Sequence, residues 1–156
     1  MKTSYFYIKL AILPALMMCS DGKNSEKKRA DLAAYKIVQN CYLAVDEKDS
    51  AFLNLVNYGK GKAKGDLVIF YSGKAKNAGQ LSGYINGDTL LLNYHFYIGK
   101  DSSRRYTNPL ILLKKKDSLI LGIGRVVNYL GRSYFDKRIP INFDKGRFHF
   151  GLIKCS

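Results

Sequence analysis

Beyond about Ala33 the apolar and polar positions of this chain alternate with a period of two. Leu90, Leu92, Tyr94, Phe96 and Ile98 share one parity, and Asn93, His95 and Tyr97 the other. Phe148, Phe150 and Leu152 alternate with Arg147, His149 and Gly151 in the same way. Such alternation marks strands buried on one face. Turn-forming clusters interrupt it at Gly59-Lys60-Gly61, Ser72-Gly73-Lys74, Lys100-Asp101-Ser102, Lys116-Asp117 and Asp144-Lys145-Gly146. Asn86-Gly87, followed by Asp88, suits the positive φ values of a two-residue hairpin.

Between these turns the pattern predicts strands over roughly 37–46, 50–57, 63–71, 79–86, 88–98, 105–114, 118–129 and 147–155, with a ninth at 134–143. Short strands at regular spacing predict an all-β domain over residues 33–156. Its expected form is a single antiparallel barrel of eight to nine strands, closed or nearly closed and lipocalin-like in general shape. A meander that ends where it began puts the first strand beside the last. A short N-terminal helix is expected to run from near Ser25 to Lys36. Gly122-Ile123-Gly124, inside a strand pattern, reads as a bend or bulge, and Pro109 as an edge or bulge in the sixth strand.

The first eighteen residues follow a different rule. Lys2 and Lys9 give a basic leader, and Leu10 to Cys19 is an uncharged run broken by Pro14. That run is too short to span a bilayer, which takes about 20 apolar residues, and fits the core of an export signal. Residues 1–18 are therefore read as a signal peptide and residues 19–32, polar throughout from Ser20 to Arg29, as a polar flexible tether. The stretch Leu16-Met17-Met18-Cys19 resembles the lipobox of bacterial lipoprotein precursors, with Met18 where a small residue is usual. The resemblance implies diacylation of Cys19 and attachment to a membrane in the cell envelope, on its periplasmic or cell-surface face. Two or more acyl chains, at about 0.8 kcal/mol per buried CH₂, hold a protein on a bilayer stably.

With Cys19 assigned to lipid, Cys41 and Cys155 remain, one near each end of the barrel region. In an oxidising compartment they are candidates for a disulfide; two separate buried thiols are the alternative. Their spacing excludes a CxxC redox or zinc motif.

The region after the tether is similar to a group of small, uncharacterised cell-envelope lipoproteins with a β-barrel-like domain. The residues that carry the likeness are Cys41-Tyr42, Gly65-x-Leu67, Asn77-x-Gly79-x-Leu81-x-Gly83, Gly87-Asp88-Thr89-Leu90, Tyr94-x-Phe96, Ser103-x-Arg105, Gly122-x-Gly124 and Cys155. These are mostly glycines and turn residues, so the likeness speaks to fold.

No reaction is legible. His95 and His149 lack the spacing of a metal pair, and most carboxylates lie in turns, where local backbone bonds account for them. Gly79-Gln80-Leu81-Ser82-Gly83 puts its serine one place late for a nucleophile elbow. The expectation is a protein that is not an enzyme and holds no metal or cofactor.

Charge asks for a partner instead. Lys+Arg 26 against Asp+Glu 12 gives +14 over 156 residues, which falls to +12 once Lys2 and Lys9 leave with the signal. Lys60, Lys62 and Lys64 share a strand parity and form the candidate anionic-surface contact. Anionic lipid, glycan or an envelope protein are the partners considered; no nucleic-acid motif is present, and oligomeric state is not legible.

The leading expectation is thus a non-enzymatic, membrane-anchored envelope lipoprotein that binds or supports through its basic outer surface. A lipocalin-like carrier of a small apolar ligand is one alternative, with Leu90, Leu92, Tyr94, Phe96, Phe148 and Phe150 lining the cavity. Those residues, with Leu53, Leu55 and Leu152, are bulky enough to fill a small barrel, and a filled interior is expected. A second alternative is a lysozyme-inhibitor-like protein, because Ser72-Gly73 resembles the Ser-Gly motif of one such family. The downstream Tyr of that motif is missing, and a strongly cationic inhibitor would repel a cationic lysozyme.

Overall fold

The computed structural model describes residues 37–155. The signal peptide, tether and N-terminal helix expected before Ile37 lie outside the described residues. Ten strands follow: β1 Val38–Asp46, β2 Asp49–Asn57, β3 Lys62–Phe70, β4 Asn77–Asn86, β5 Thr89–Ile98, β6 Asp101–Lys115, β7 Ser118–Leu121, β8 Val126–Tyr129, β9 Arg132–Phe135 and β10 His149–Ile153. Eight of them close an antiparallel barrel in the order β1-β10-β7-β6-β5-β4-β3-β2, and β8 and β9 form a separate hairpin.

Strand alternation decides what fills the barrel. One inward row runs across the ladder from Tyr42 to Leu53, Leu67, Gly79, Phe96 and Tyr106. Leu53, Leu67, Leu81, Leu112 and Leu119 are completely enclosed, and each is worth about 1.5–3 kcal/mol of apolar burial. Tyr94 stacks on Phe96 with centroids 4.6 Å apart, and Phe96 on Tyr106 at 5.5 Å. The Tyr94 hydroxyl donates to the Leu67 carbonyl at 3.0 Å within this core, and its burial raises the phenol's pKa. Glycine opposite an aromatic makes this density geometrically feasible. A Cβ on Gly79 would fall on the His95 carbonyl and the Phe96 Cα, so only glycine lets β4 and β5 approach so closely there.

Closure occurs at the seam between β1 and β10, where Cys41 pairs with Ile153 and Tyr42 with Leu152. Cys41 and Cys155 form a disulfide there, with Cα atoms 5.2 Å apart across a sequence separation of 114. At the far end of β1, Arg147 reaches Asp46 at 2.6 Å and Asp49 at 2.8 Å, while the Ser72 amide donates to Asp49 at 2.8 Å.

Several sequence expectations need correction. The strand expected over 118–129 breaks: β7 stops at Leu121, and the chain leaves the barrel at Gly122. A Cβ at Gly122 or Gly124 would lie within 2.7 Å of Ile141, Phe143 or Phe135 side-chain atoms, so the glycines make room for an outer layer. The ninth strand, expected at 134–143, is instead β9 at Arg132–Phe135, and it pairs with β8 rather than with the barrel. Ile98 and Leu152 share the inward parity yet are exposed; an irregularity between Phe96 and Ile98 releases the former. The β4–β5 turn is Gly87-Asp88, with Gly87 at φ 58°, because Asn86 pairs with Thr89. Pro109 lies on the stretch of β6 that pairs with β5 alone, where a missing ladder donor is tolerated.

Candidate functional site on the barrel exterior

Core side chains occupy most of the interior, leaving a recess of about 280 Å³ at one end against Tyr71, Tyr94, Phe96 and Phe135, and the larger recesses lie on the outside. Lys62 and Lys64 of β3 alternate with buried Ala63 and therefore face outward, opposite Tyr84 and Ser82 of β4. Lys60 departs from the expected strand parity: it occupies the β2–β3 turn at φ 50°, between Gly59 and Gly61. Ion pairs among the described residues involve Arg138 and Arg147, not Lys62 or Lys64.

Two shallow recesses flank these lysines. One, of about 560 Å³, lies between Tyr58, Lys62, Lys64, Ser82, Tyr84 and Asn93. The next, about 540 Å³, continues from Lys64 past Gln80 and His95 to Arg105, with Asp66 on its wall. His95 Nδ1 is held 2.8 Å from Thr107 Oγ1. Lysine, arginine, hydroxyl and amide groups so arranged can hydrogen-bond an anionic oxygen.

A third recess, of about 560 Å³, was not visible in the sequence. It lies between the outer wall of β4–β6 and the segment after β9, bounded by Tyr84, Leu91, Ile111, Tyr134, Ile139 and Pro140. It meets the first recess at Gly83, Tyr84 and Asn93. The overlying segment is fixed by Asp136, a buried carboxylate gripped by the Arg138 guanidinium through two bonds of 2.9 Å and by the Arg138 amide. That grip holds the Asp136 pKa below the usual carboxylate range. Leu90-Leu91-Leu92 carried the one available signal, since three successive apolar residues in a strand place at least one on the outer face.

Among the described residues no three His, Cys, Asp or Glu side chains converge as metal ligands. His149 is exposed at the start of β10. Cys41 and Cys155 come together as the bridge, whereas Cys19 lies outside the described residues. Among the described residues no helix is long and apolar enough to cross a membrane. Comparison with protein-family models, curated proteins and solved structures finds no match to this chain.

Proposed function

We propose that the protein is a non-enzymatic binding module of the cell envelope, anchored through acylated Cys19 and engaging an anionic partner with its basic outer face. The observation that carries this reading is the pair Lys62 and Lys64, outward on a barrel whose larger recesses lie on its outer wall. A built cationic recess on the outside, joined to an apolar one, supports binding rather than reaction. The anchor rests on the lipobox-like Leu16-Met17-Met18-Cys19 and the +12 charge that follows it.

A test is detergent phase partition of the protein from its native cells, with acyl-chain labelling. Wild type is expected in the detergent phase and labelled; Cys19→Ala is expected unlabelled and unprocessed. Wild-type protein in the aqueous phase with an unmodified Cys19 would overturn the anchor.

The apolar recess beneath residues 133–141 favours a second reading, the carrier. Its volume of about 560 Å³ falls within the roughly 300–1,000 Å³ of small-molecule sites. The ligand would then sit outside the barrel wall, against Leu91 and Ile111, rather than among Tyr94, Phe96 and Phe150. An apolar molecule co-purifying at one-to-one stoichiometry and lost in Leu91→Glu would favour it.

A further inference from the structure

The pairing of β3, β4, β5 and β6 sets two rows of outward side chains next to each other. One runs Lys62, Tyr84, Leu91 and Ile111, the other Lys64, Ser82, Asn93 and Pro109. Each row begins on a lysine and ends on an apolar residue. Three inter-strand spacings of about 4.8 Å separate β3 from β6, so each row is roughly 14 Å long.

The protein covers only the far end of these rows. Ile111 faces outward yet is buried, because the segment after β9 lies over it. Leu91 and Tyr84, one and two strands nearer the lysines, are 46% and 62% exposed. An apolar wall therefore continues past the protein's own cover, up to Lys62. The apolar recess on this wall and the basic recess at Lys62 and Lys64 share Gly83, Tyr84 and Asn93, which makes them two parts of one groove. Each part measures about 560 Å³. The acids leave the lysine end cationic. Asp66 borders the next recess along β3 rather than this one, and Asp136, in the apolar part, is tied to Arg138 at 2.9 Å.

We infer that the joined recesses bind one anionic single-chain amphiphile, its head on Lys62 and Lys64 and its acyl chain along Leu91 towards Ile111. Two ammonium groups, the Ser82 hydroxyl and the Asn93 amide can hydrogen-bond phosphate or carboxylate oxygens. The chain covers apolar surface that the fold leaves open. Tyr84 borders both parts and has the apolar body and polar tip that suit a head-to-tail junction. Complementarity selects this class of ligand: a free inorganic anion leaves the apolar part bare, and a neutral hydrocarbon leaves two lysines unmatched. With Leu91 and Tyr134 both 46% exposed, the groove is open along its side, so the guest exchanges with solution and is not retained through purification. This names the anionic partner of the proposed basic face and rests on that reading.

The test uses the full chain carrying Cys19→Ser, so that no acyl group at Cys19 competes for the groove. Calorimetric titrations are run below the critical micelle concentration with lauroyl lysophosphatidylglycerol, lauroyl lysophosphatidylcholine, dodecanoate and glycerol phosphate. One-to-one binding of an anionic amphiphile is expected, at least about tenfold tighter than that of the zwitterionic lipid or of glycerol phosphate. Preference for lysophosphatidylglycerol identifies a phosphate head and preference for dodecanoate a carboxylate; either supports the inference. Lys62→Gln with Lys64→Gln should weaken binding at least about tenfold, and Leu91→Gln about fivefold. Lys137→Gln, at the apolar end, should stay within about twofold of the parent. All four side chains are exposed, so these variants keep the fold. Equal binding of the anionic and zwitterionic lipids, unchanged binding in the lysine pair or in Leu91→Gln, or a tenfold loss in Lys137→Gln would overturn the inference. Cosedimentation with phosphatidylglycerol vesicles separates this failure from that of the basic face. Vesicle binding that needs Lys62 and Lys64, with no soluble amphiphile bound, would overturn the groove and leave the basic-face reading standing.

Discussion

Cys41 of β1 and Cys155, two residues beyond β10, are bridged with Cα atoms 5.2 Å apart on the seam that closes the barrel. The adjoining ladder is short, three register pairs from Cys41–Ile153 to Leu43–Gly151. The bridge therefore ties together the two ends of a domain whose last strand has few hydrogen bonds of its own.

Cys41→Ser is expected to lower unfolding free energy by a few kcal/mol, up to about 4–5 on the chain-entropy account of a loop this long. Cys155→Ser should cost a similar amount, and the double variant little more than either, since all three remove one bond. Urea denaturation under non-reducing conditions measures this. Additive losses would mean that the two sulfurs act separately.

Close approach of β4 and β5 gives a second prediction. Gly79→Ala places a methyl against the His95 carbonyl and should destabilise by about 1–3 kcal/mol or more through forced backbone movement. At Gly151 the nearest atom to an added Cβ is the Leu43 carbonyl oxygen at 3.9 Å, an ordinary contact. Gly151→Ala should stay within about 0.5 kcal/mol of wild type. Thermal or urea unfolding of the pair separates a site that needs glycine from one that does not.

Much of this architecture was readable from the chain because alternation and turns act locally. Gly59-Lys60-Gly61, Gly87-Asp88 and Lys116-Asp117 end strands, so β1 to β5 fall within about two residues of their expected limits, while β6 starts four residues early at Asp101. The seam followed from those strands, since an even meander returns to its start. What alternation could not show was the outer layer. Leu119-Ile120-Leu121 is apolar on both parities because Leu119 faces the core while Ile120 is buried on the other face. Gly122 and Gly124 look like a bend from sequence; the reason is the apposition of Ile141, Phe143 and Phe135, twelve or more positions later in the main. The apolar recess depends on the same long-range return and was invisible for the same reason. Lys60 was misplaced because parity was extended through Gly59 and Gly61, where the chain turns.

Acid should reveal the clamp that Arg147 and the Ser72 amide make on the β1–β2 turn. The Ser72 amide, then the Arg147 guanidinium, hold the Asp49 pKa below its ordinary 3.8. A carboxylate so depressed contributes stability that is complete above its unfolded pKa, about 3.9, and is lost as pH falls through the lower folded value. Urea midpoints should therefore be level near neutrality and fall in the acid range, between about pH 5 and pH 1. Asp49→Asn should start lower and fall less steeply. An identical acid limb in both proteins would remove Asp49 from the account.

Intact mass spectrometry of the protein purified from its native envelope tests the central claim most directly. The account predicts a chain that begins at Cys19, carries the mass of added acyl groups, lacks two hydrogens for the Cys41–Cys155 bridge, and retains no ligand. A chain with unmodified Cys19 and two free thiols, or one carrying a stoichiometric apolar guest, would contradict it.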